Sequence, residues 1–504
     1  MSIPVIDIFA GPGGLGEGFS SVFDKKGNRV FKTVLSIEME KYAHETLTFR
    51  SFYRQFHPDE VPEEYYQVLR GELSKDELFD LEKFQKEVDS AEKEAKQAKL
   101  GFDDNSVNPE LVDEWIAEAL KGEDDWILLG GPPCQAYSIV GRSRNQRTIL
   151  DADEDDRVDL YKQYLRIIEA HRPAVFVMEN VKGLLSARSE SNSIFEKILS
   201  DLKEPGYRIF SLAKKPRNNL FDEPEFEPQD FVIRCEEYGI PQTRHRVILL
   251  GIKEDFFQGK PGILENEPPV SLQAVIDDLP KLRSGLSRKK NIWENWSNEV
   301  LEITRNGVMD SMDNEVAKIV KDTVKNLTNP HKNSGTEFVE HRADYKPLEY
   351  VQDWFYDKRI GGACNHESRG HMGSDLHRYL FASSFAKANG RSPKMEDFPE
   401  KLLPAHKNVQ EAIKNKKFAD RFRVQLEGRP SKTITSHISK DGHYYIHPDP
   451  SQCRSLTVRE AARIQTFPDN YFFCGPRTSQ YIQVGNAVPP LLAKSIAEIV
   501  SKLY

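Results

Sequence analysis

Apolar runs alternate with amphipathic stretches near both ends of the chain. Residues 3–9, IPVIDIF, form one such run and lead into a glycine-rich turn and a helix, AGPGGLGEGFSSVF. FKTVLSIE (31–38) is a second run, ending on an acid, and WILLGGPP from Trp126 is a third, ending in a turn. DLYKQYLRIIEAHRP places Leu160, Tyr164, Ile167 and Ile168 on one helical face before Pro173 stops it. AVFVMEN (174–180) and HRVILLGI (245–252) are further short apolar strands. Strands that are apolar throughout, alternating with helices, predict an α/β fold whose mostly parallel sheet is covered on both faces.

Two regions depart from this rhythm. SKDELFDLEKFQKEVDSAEKEAKQAKL (74–100) opens with a capping box, Ser74 and Glu77. Leu81, Phe84, Val88, Ala91, Ala95 and Ala98 then follow a 3-4 spacing, which predicts one long helix with a narrow apolar seam. It belongs to an inserted helical segment, about 74–122, expected to be structural. From about 256 to 440 the pattern loosens into loops such as RNGVMD and NPHKNSG, which predicts a second, irregular domain. The β/α rhythm returns with SLTVREAARIQTF and ends in a helix, PPLLAKSIAEIVSKLY.

Composition sets limits on this picture. With 504 residues, 38% hydrophobic and 30% charged, the chain can bury sizeable cores and is expected to form several domains. No apolar run reaches a membrane-spanning length, and no basic region precedes the first apolar run as in a signal peptide. The five cysteines are widely spaced with no C-x-x-C, which points away from a disulfide framework and to a reducing, cytoplasmic setting. Net charge is −9, yet residues 401–440 carry 10 Lys and Arg against 3 Asp and Glu. A basic segment in an acidic chain fits either a phosphate-binding face or an ordinary solvated surface.

Candidate chemistry gathers at predicted strand ends. GPGGLG (11–16) follows the first strand, and Glu38 ends the next. This geometry serves a dinucleotide or S-adenosylmethionine alike: glycines admit the ligand to the backbone, and the acid accepts ribose hydroxyls. GGPPCQAYS (130–138) sets Cys134 behind two stiff prolines, where a thiol is a core filler, a metal ligand or a nucleophile. MENVKG brings Glu179 and Asn180 to a strand end, and YGIPQTRHRVIL brings Arg244 and Arg246 to the start of another. In a parallel sheet the carboxyl ends after Phe9, Glu38, Leu129 and Met178 converge on one crevice.

Seven motifs in this order resemble the DNA (cytosine-5) methyltransferase family: DIFAGPGGLGEGF, IEMEKYA, GGPPCQAYS, MENV, YGIPQTRHRV, RSLTVREAARIQTFPD and QVGNAVPPLLA. Each is moderately specific, and the ordered set is highly specific. The resemblance implies a Rossmann-like methyltransferase domain of residues 1–255, completed by 478–504, and a smaller target-recognition domain of 256–477. It implies S-adenosyl-L-methionine as cofactor, and double-stranded DNA as partner in a bacterial restriction-modification or defence setting. The protein is expected to be cytoplasmic and monomeric, with no membrane partner. The tRNA branch of the same fold is the alternative, although its Cys-Phe-Thr signature is missing. A catalytically silent DNA-binding module is another alternative, and intact Cys134 and Glu179 argue against it.

By that resemblance Cys134 is the nucleophile that adds to carbon 6 of a flipped cytosine, because a thiolate both attacks and leaves well. Glu179 protonates nitrogen 3, and Arg246 with Arg244 orients it and holds the base. Pro132, Pro133, Gln135, Ser138, Asn180 and Gln242 complete the base site, with the Pro132 carbonyl on the cytosine amino group. The cofactor falls to Phe9, Ala10, Gly11, Gly13, Gly14, Leu15, Glu38, Leu160, Asn486, Ala487 and Val488. Met39 stands where the family often has Trp, and Glu72 is the candidate acid for the adenine amino group. Arg421, Arg423 and Lys432, with the TITSH segment (433–437), become candidate DNA contacts. Cys364, His366, His371 and His377 lack the two-pair spacing of a zinc site, so no metal is expected and a structural role is favoured.

Overall fold

The computed structural model describes residues 2–132, 156–189, 192–217, 224–257, 259–328, 334–404 and 420–504. One sheet gathers the strands between residues 3 and 253. Its strands are β1 (Ile3–Ile8), β2 (Phe31–Glu38), β3 (Ala95–Gln97), β4 (Ile127–Gly130), β5 (Val175–Val181), β6 (Tyr207–Phe210), β7 (Val232–Arg234) and a last long strand, His245–Lys253. A two-residue strand, β8 (Gln242–Thr243), precedes that last strand, which is therefore β9. The sheet order is β3-β2-β1-β4-β5-β9-β6, with β7 also paired to β9. The pairs from β3 through β5 are parallel, whereas β9 runs antiparallel to β5, β6 and β7. The central strands β1, β4, β5 and β9 are buried on both faces along most of their length, as their continuous apolar runs require.

Two cores cover the two faces. Alternation along β1 sends Val5 to one and Ile6 and Ile8 to the other. The first core contains α1 (Gly14–Ser20) and the C-terminal helix Pro490–Val500, through Leu15, Phe19, Leu492 and Ile496. The second contains a helix over Asp156–His171, with Tyr164, Ile167 and Ile168 buried as their spacing predicts. Here α1 and the C-terminal helix touch backbone to backbone. A Cβ on Gly14 would lie 2.2 Å from the Val488 carbonyl oxygen, and one on Gly18 would lie 2.4 Å from the Ala493 Cβ.

The inserted segment differs from its prediction. The capping box of Ser74 and Glu77 forms, but the helix it opens runs only from Lys75 to Phe79. A second helix spans Gln85–Glu94, and the chain then becomes β3, pairing Ala95–Gln97 with Ser36–Glu38. Helix propensity gives way to the open edge of β2. The apolar seam keeps its purpose: Phe84, Val88 and Ala91 are buried on an aromatic cluster of Phe49, Phe52, Tyr65 and Tyr66.

The loosely patterned middle of the chain has a core of its own. Helices Trp293–Leu301, Asn314–Lys325 and Gly373–Asn389 enclose Trp296, Val300, Val320, Leu376, Tyr379 and Leu380. A further core joins this region to the chain end, mixing Leu272, Ile434 and Tyr445 with Phe467, Tyr481, Val484 and Ala487. The expected boundary at 477/478 therefore passes through a shared core. Among the described residues, no helix is long and apolar enough to cross a membrane.

Candidate active site

The glycine loop sits where β1 ends. Phe9 has φ 56°, Gly11 φ 57° and Gly13 φ 94°, so the chain turns through three left-handed residues within five. The two glycines take this conformation freely, whereas Phe9 is strained there by about 1–2 kcal/mol. Gly13 is also closely packed, since a Cβ would meet Leu47 Cδ1 at 2.8 Å. The Tyr471 hydroxyl, brought in from the far end of the chain, donates to the Pro12 carbonyl and holds the loop from behind. Leu15 and Gly14 turn into the core and against Val488, so their part is to dock the chain end beneath the loop. Ala10 donates its N–H to the Ile37 carbonyl at 3.1 Å, which fixes the loop to the end of β2.

Glu38 ends β2 with each carboxylate oxygen accepting one backbone N–H: Gly11 at 2.8 Å and Glu40 at 2.7 Å. Burial raises its pKa, and these two bonds act against that rise. Each oxygen keeps a lone pair, so the carboxylate retains acceptor capacity for a pair of ribose hydroxyls. Met39 beside it is 57% exposed, an apolar side chain left uncovered next to that acid. Leu160 is half-buried one turn ahead of Tyr164. Asn486 is exposed at the end of helix Arg477–Asn486, while Ala487 and Val488 are buried.

A second polar group lies at the ends of β4 and β5. Glu179 is on β5 and Arg246 on β9, and antiparallel pairing sets Ile248 opposite Glu179. Arg246 is two residues before Ile248 and shares its face, which brings its Nε to 2.7 Å from Glu179 Oε1. The two side chains are 14% and 12% exposed, so the pair is largely withdrawn from water but reachable. Gly131, just past β4, lies against the acid, since a Cβ there would be 3.2 Å from Glu179 Oε2. The next residue, Pro132, accepts a hydrogen bond from Asn180 Nδ2 at 3.2 Å through its carbonyl. Pro133, Cys134, Gln135 and Ser138 lie outside the described residues.

Three expected site residues sit elsewhere. Arg244 is 1% exposed, and its guanidinium donates to the carbonyls of Ile434 (2.8 Å), Gly485 (3.3 Å) and Ala487 (2.9 Å). It ties the sheet to the chain end rather than facing a base; burial, then the charge of Arg246, pushes its pKa down to about 9. Gln242 is fully buried, donating to the Ile464 carbonyl and accepting from the Ile434 N–H, so it too is a strut. Glu72 lies in an exposed turn, paired with Arg70 at 2.7 Å, and not on a strand before the Pro-Cys loop. In each case the residue type suited the site, but the fold committed its polar atoms to another partner.

The residues of the histidine-rich stretch separate. His366 bonds Thr457 Oγ1 and the Pro280 carbonyl, His377 bonds the Glu299 carbonyl, and Cys364 accepts from Arg459 while facing the Asp469 carbonyl. Among the candidate DNA contacts, Arg421 is exposed, Arg423 pairs with Asp420, and Lys432 is exposed. Sequence reading missed Asp7. It is 1% exposed within β1, with Oδ2 accepting the Gly16 N–H at 3.2 Å and Oδ1 unpartnered. Burial pushes its pKa up to about 7. The signal was an acid inside an otherwise apolar run, IPVIDIF.

A mostly parallel sheet with a glycine loop after β1, an acid at the end of β2 and a paired acid and arginine at the same edge has the Rossmann-like layout of methyltransferases. The profile of C-5 cytosine-specific DNA methylases matches residues 96–502, and the chain belongs to that family, as its motif order implied. It is 33% identical to the type II methyltransferase M.Bpa9945I of Bacillus paralicheniformis, over 98% of each chain. It is 26% identical to the DNA (cytosine-5-)-methyltransferase M.ApeKI of Aeropyrum pernix, over 76% of this chain and 82% of that one. Its fold is like that of a solved DNA modification methyltransferase encoded within an E. coli prophage, at TM-score 0.52 and 16% identity, covering 100% of this chain and 99% of that one.

Proposed function

We propose that the protein transfers a methyl group from S-adenosyl-L-methionine to carbon 5 of a cytosine flipped out of double-stranded DNA, as the modification enzyme of a type II restriction-modification system. The observation that carries this reading is the Glu179–Arg246 pair at 2.7 Å, beside Gly131 and the Pro132 carbonyl at the sheet's carboxyl edge. It joins a proton donor or acceptor, a cation that orients it and a carbonyl in one largely buried place. The family membership and the printed names of the relatives support the substrate class.

The residues at the β1 and β2 ends fit the cofactor. Glu38 retains acceptor capacity, Met39 offers an exposed apolar surface, and the left-handed turn through Gly11 and Gly13 opens the backbone. When bound there, S-adenosylmethionine supplies an electrophilic methyl on a sulfonium. This chain's residues do the rest. The Cys134 thiolate adds to carbon 6, and Glu179 delivers a proton to nitrogen 3 as the ring loses conjugation. Arg246 keeps the Glu179 carboxyl aimed at that nitrogen. The Pro132 carbonyl, steadied by Asn180, has a second lone pair for the cytosine amino group. After carbon 5 gains its methyl, loss of its proton to a base expels the thiolate and restores the ring.

The test is incubation with tritiated S-adenosylmethionine and, in separate reactions, duplex DNA of mixed sequence or tRNA, with Cys134→Ser alongside. Label in DNA from the native protein and none from the variant is expected. No label from the native protein on any duplex contradicts the reading. Label in tRNA alone would favour the tRNA branch.

A further inference from the structure

Behind the glycine loop lies a layer of buried charge, with β1 and β2 on one side and α1 and the helix Lys41–Arg54 on the other. Arg50 grips both oxygens of Glu17, with Nε 2.9 Å from Oε2 and Nη2 2.5 Å from Oε1. Arg54 Nη2 lies 2.5 Å from Glu94 Oε1, and its Nη1 lies 3.8 Å from Glu17 Oε2. None of these four side chains is more than 7% exposed. Two guanidiniums face two carboxylates, so the layer is neutral before Asp7 is counted.

Asp7 is the fifth ionisable group. It stands beside Ser36 in the β1–β2 register, and its Oδ2 accepts the N–H of Gly16, the residue before Glu17. Its Oδ1, like Ser36 Oγ and Arg54 Nε, is buried with no partner among the described residues. Accepting one N–H does not need an acid, since the amide oxygen of asparagine would serve. An ionised Asp7 leaves one negative charge uncompensated in a dry layer, which is costly. The chain runs from Asp7 directly into the left-handed turn at Phe9, Gly11 and Gly13. A cation seated on that loop is separated from Asp7 by protein and not by water, so its charge is little screened.

We infer that Asp7 is the counter-charge that distinguishes the cationic methyl donor from its neutral product, ionised while S-adenosylmethionine occupies the loop and protonated when the thioether replaces it. This rests on the reading of S-adenosylmethionine as the cofactor. The sulfonium gives the donor one positive charge more than S-adenosylhomocysteine. Donor binding breaks the O–H bond of the Asp7 carboxyl and sends that proton to solvent. The carboxylate takes a proton back from solvent once the methyl group has left the sulfur.

The surrounding groups place this exchange near neutral pH. Burial pushes the Asp7 pKa up to about 7; the Gly16 N–H and Arg54 act against the rise, and the charges of Glu38 and Glu94 add to it. On α1, Glu17 is held low against burial by Arg50. On the helix Asp156–His171, Tyr164 stays neutral because burial pushes its phenol up.

Calorimetry at pH 7 in two buffers of different ionisation enthalpy counts the protons released. If the cation strengthens the acid about tenfold, the donor releases about 0.4 proton more than S-adenosylhomocysteine. Asp7→Asn keeps an acceptor for Gly16 and removes the proton, so comparison with it subtracts the ligands' own titration. In that variant the extra release should vanish, and the preference for donor over product at pH 8 should fall by about tenfold. Infrared difference spectra of the native protein need no variant: a protonated-carboxyl band should be lost on adding the donor and kept with the product. Equal release from native protein and Asp7→Asn, an unchanged preference, or an unaltered carboxyl band overturns the assignment. Donor binding without Asp7-dependent release removes only this assignment. A native protein that binds no S-adenosylmethionine removes the cofactor reading, and the assignment with it.

Discussion

At the scale of single residues, the account rests on where each polar atom finds its partner. Glu179 has one oxygen on Arg246 and the other against Gly131. Replacing it by Gln keeps the shape and removes the proton. Methyl transfer should then fall on the order of 10²- to 10⁴-fold, with binding of the methyl donor unchanged; single-turnover rates and calorimetry measure the two. Asp7 makes a different prediction. Its folded pKa, about 7, lies above the 3.8 of an unperturbed aspartate because of burial. Its contribution to stability is fully present below pH 4 and is lost as pH rises through 7, by up to about 4 kcal/mol. Asp7→Asn keeps an acceptor for the Gly16 N–H and removes that loss. The variant should melt at a higher temperature than the native protein at pH 8, with the difference vanishing near pH 4.

At the scale of elements, α1 and the C-terminal helix show how the last residues of the chain support the first. Gly14→Ala would drive a methyl into the Val488 carbonyl, and Gly18→Ala into Ala493. Backbone cannot yield as a flexible side chain does, so each should destabilise by about 1–3 kcal/mol, measured by denaturant unfolding. The long strands and helices were legible in the sequence because burial on both faces writes itself as continuous apolar runs. The meeting of Glu179 and Arg246 was legible too, since both stand at ends of such runs. The fates of Arg244 and Gln242 were not legible. Their partners are backbone carbonyls and N–H groups some two hundred residues away, and backbone groups leave no mark in a sequence. The break in the 74–100 segment was hidden for a similar reason, because only the folded sheet offers the edge that β3 takes.

At the scale of the whole molecule, the region between the sheet and the chain end buries His366, His371 and His447 and half-buries His341, and loss of water pushes the pKa of all four down. His341, His366 and His447 lie at about 4, and His371 at about 3. Each is neutral when folded and takes up a proton when unfolded between those values and about 6.5. Stability from this source is therefore full above pH 6.5 and lost as pH falls toward 4, opposite in sign to Asp7. Hydrogen exchange at pH 5 against pH 7 should show amides around these histidines opening first, while those of β1, β4 and β5 stay protected. Uniform opening of both halves would contradict this.

The central claim is covalent catalysis by Cys134 on a cytosine ring, and trapping tests it most directly. Duplex DNA carrying 5-fluorocytosine at every cytosine position cannot lose a proton from carbon 5, so the adduct persists. Incubation with S-adenosylmethionine, digestion and mass spectrometry should find a methylated nucleotide on the peptide containing Cys134, and none with Cys134→Ser. The cysteines at 235, 364, 453 and 474 are buried and should stay unmodified. The absence of any adduct from a protein that methylates DNA, or an adduct on one of those four, would contradict the mechanism.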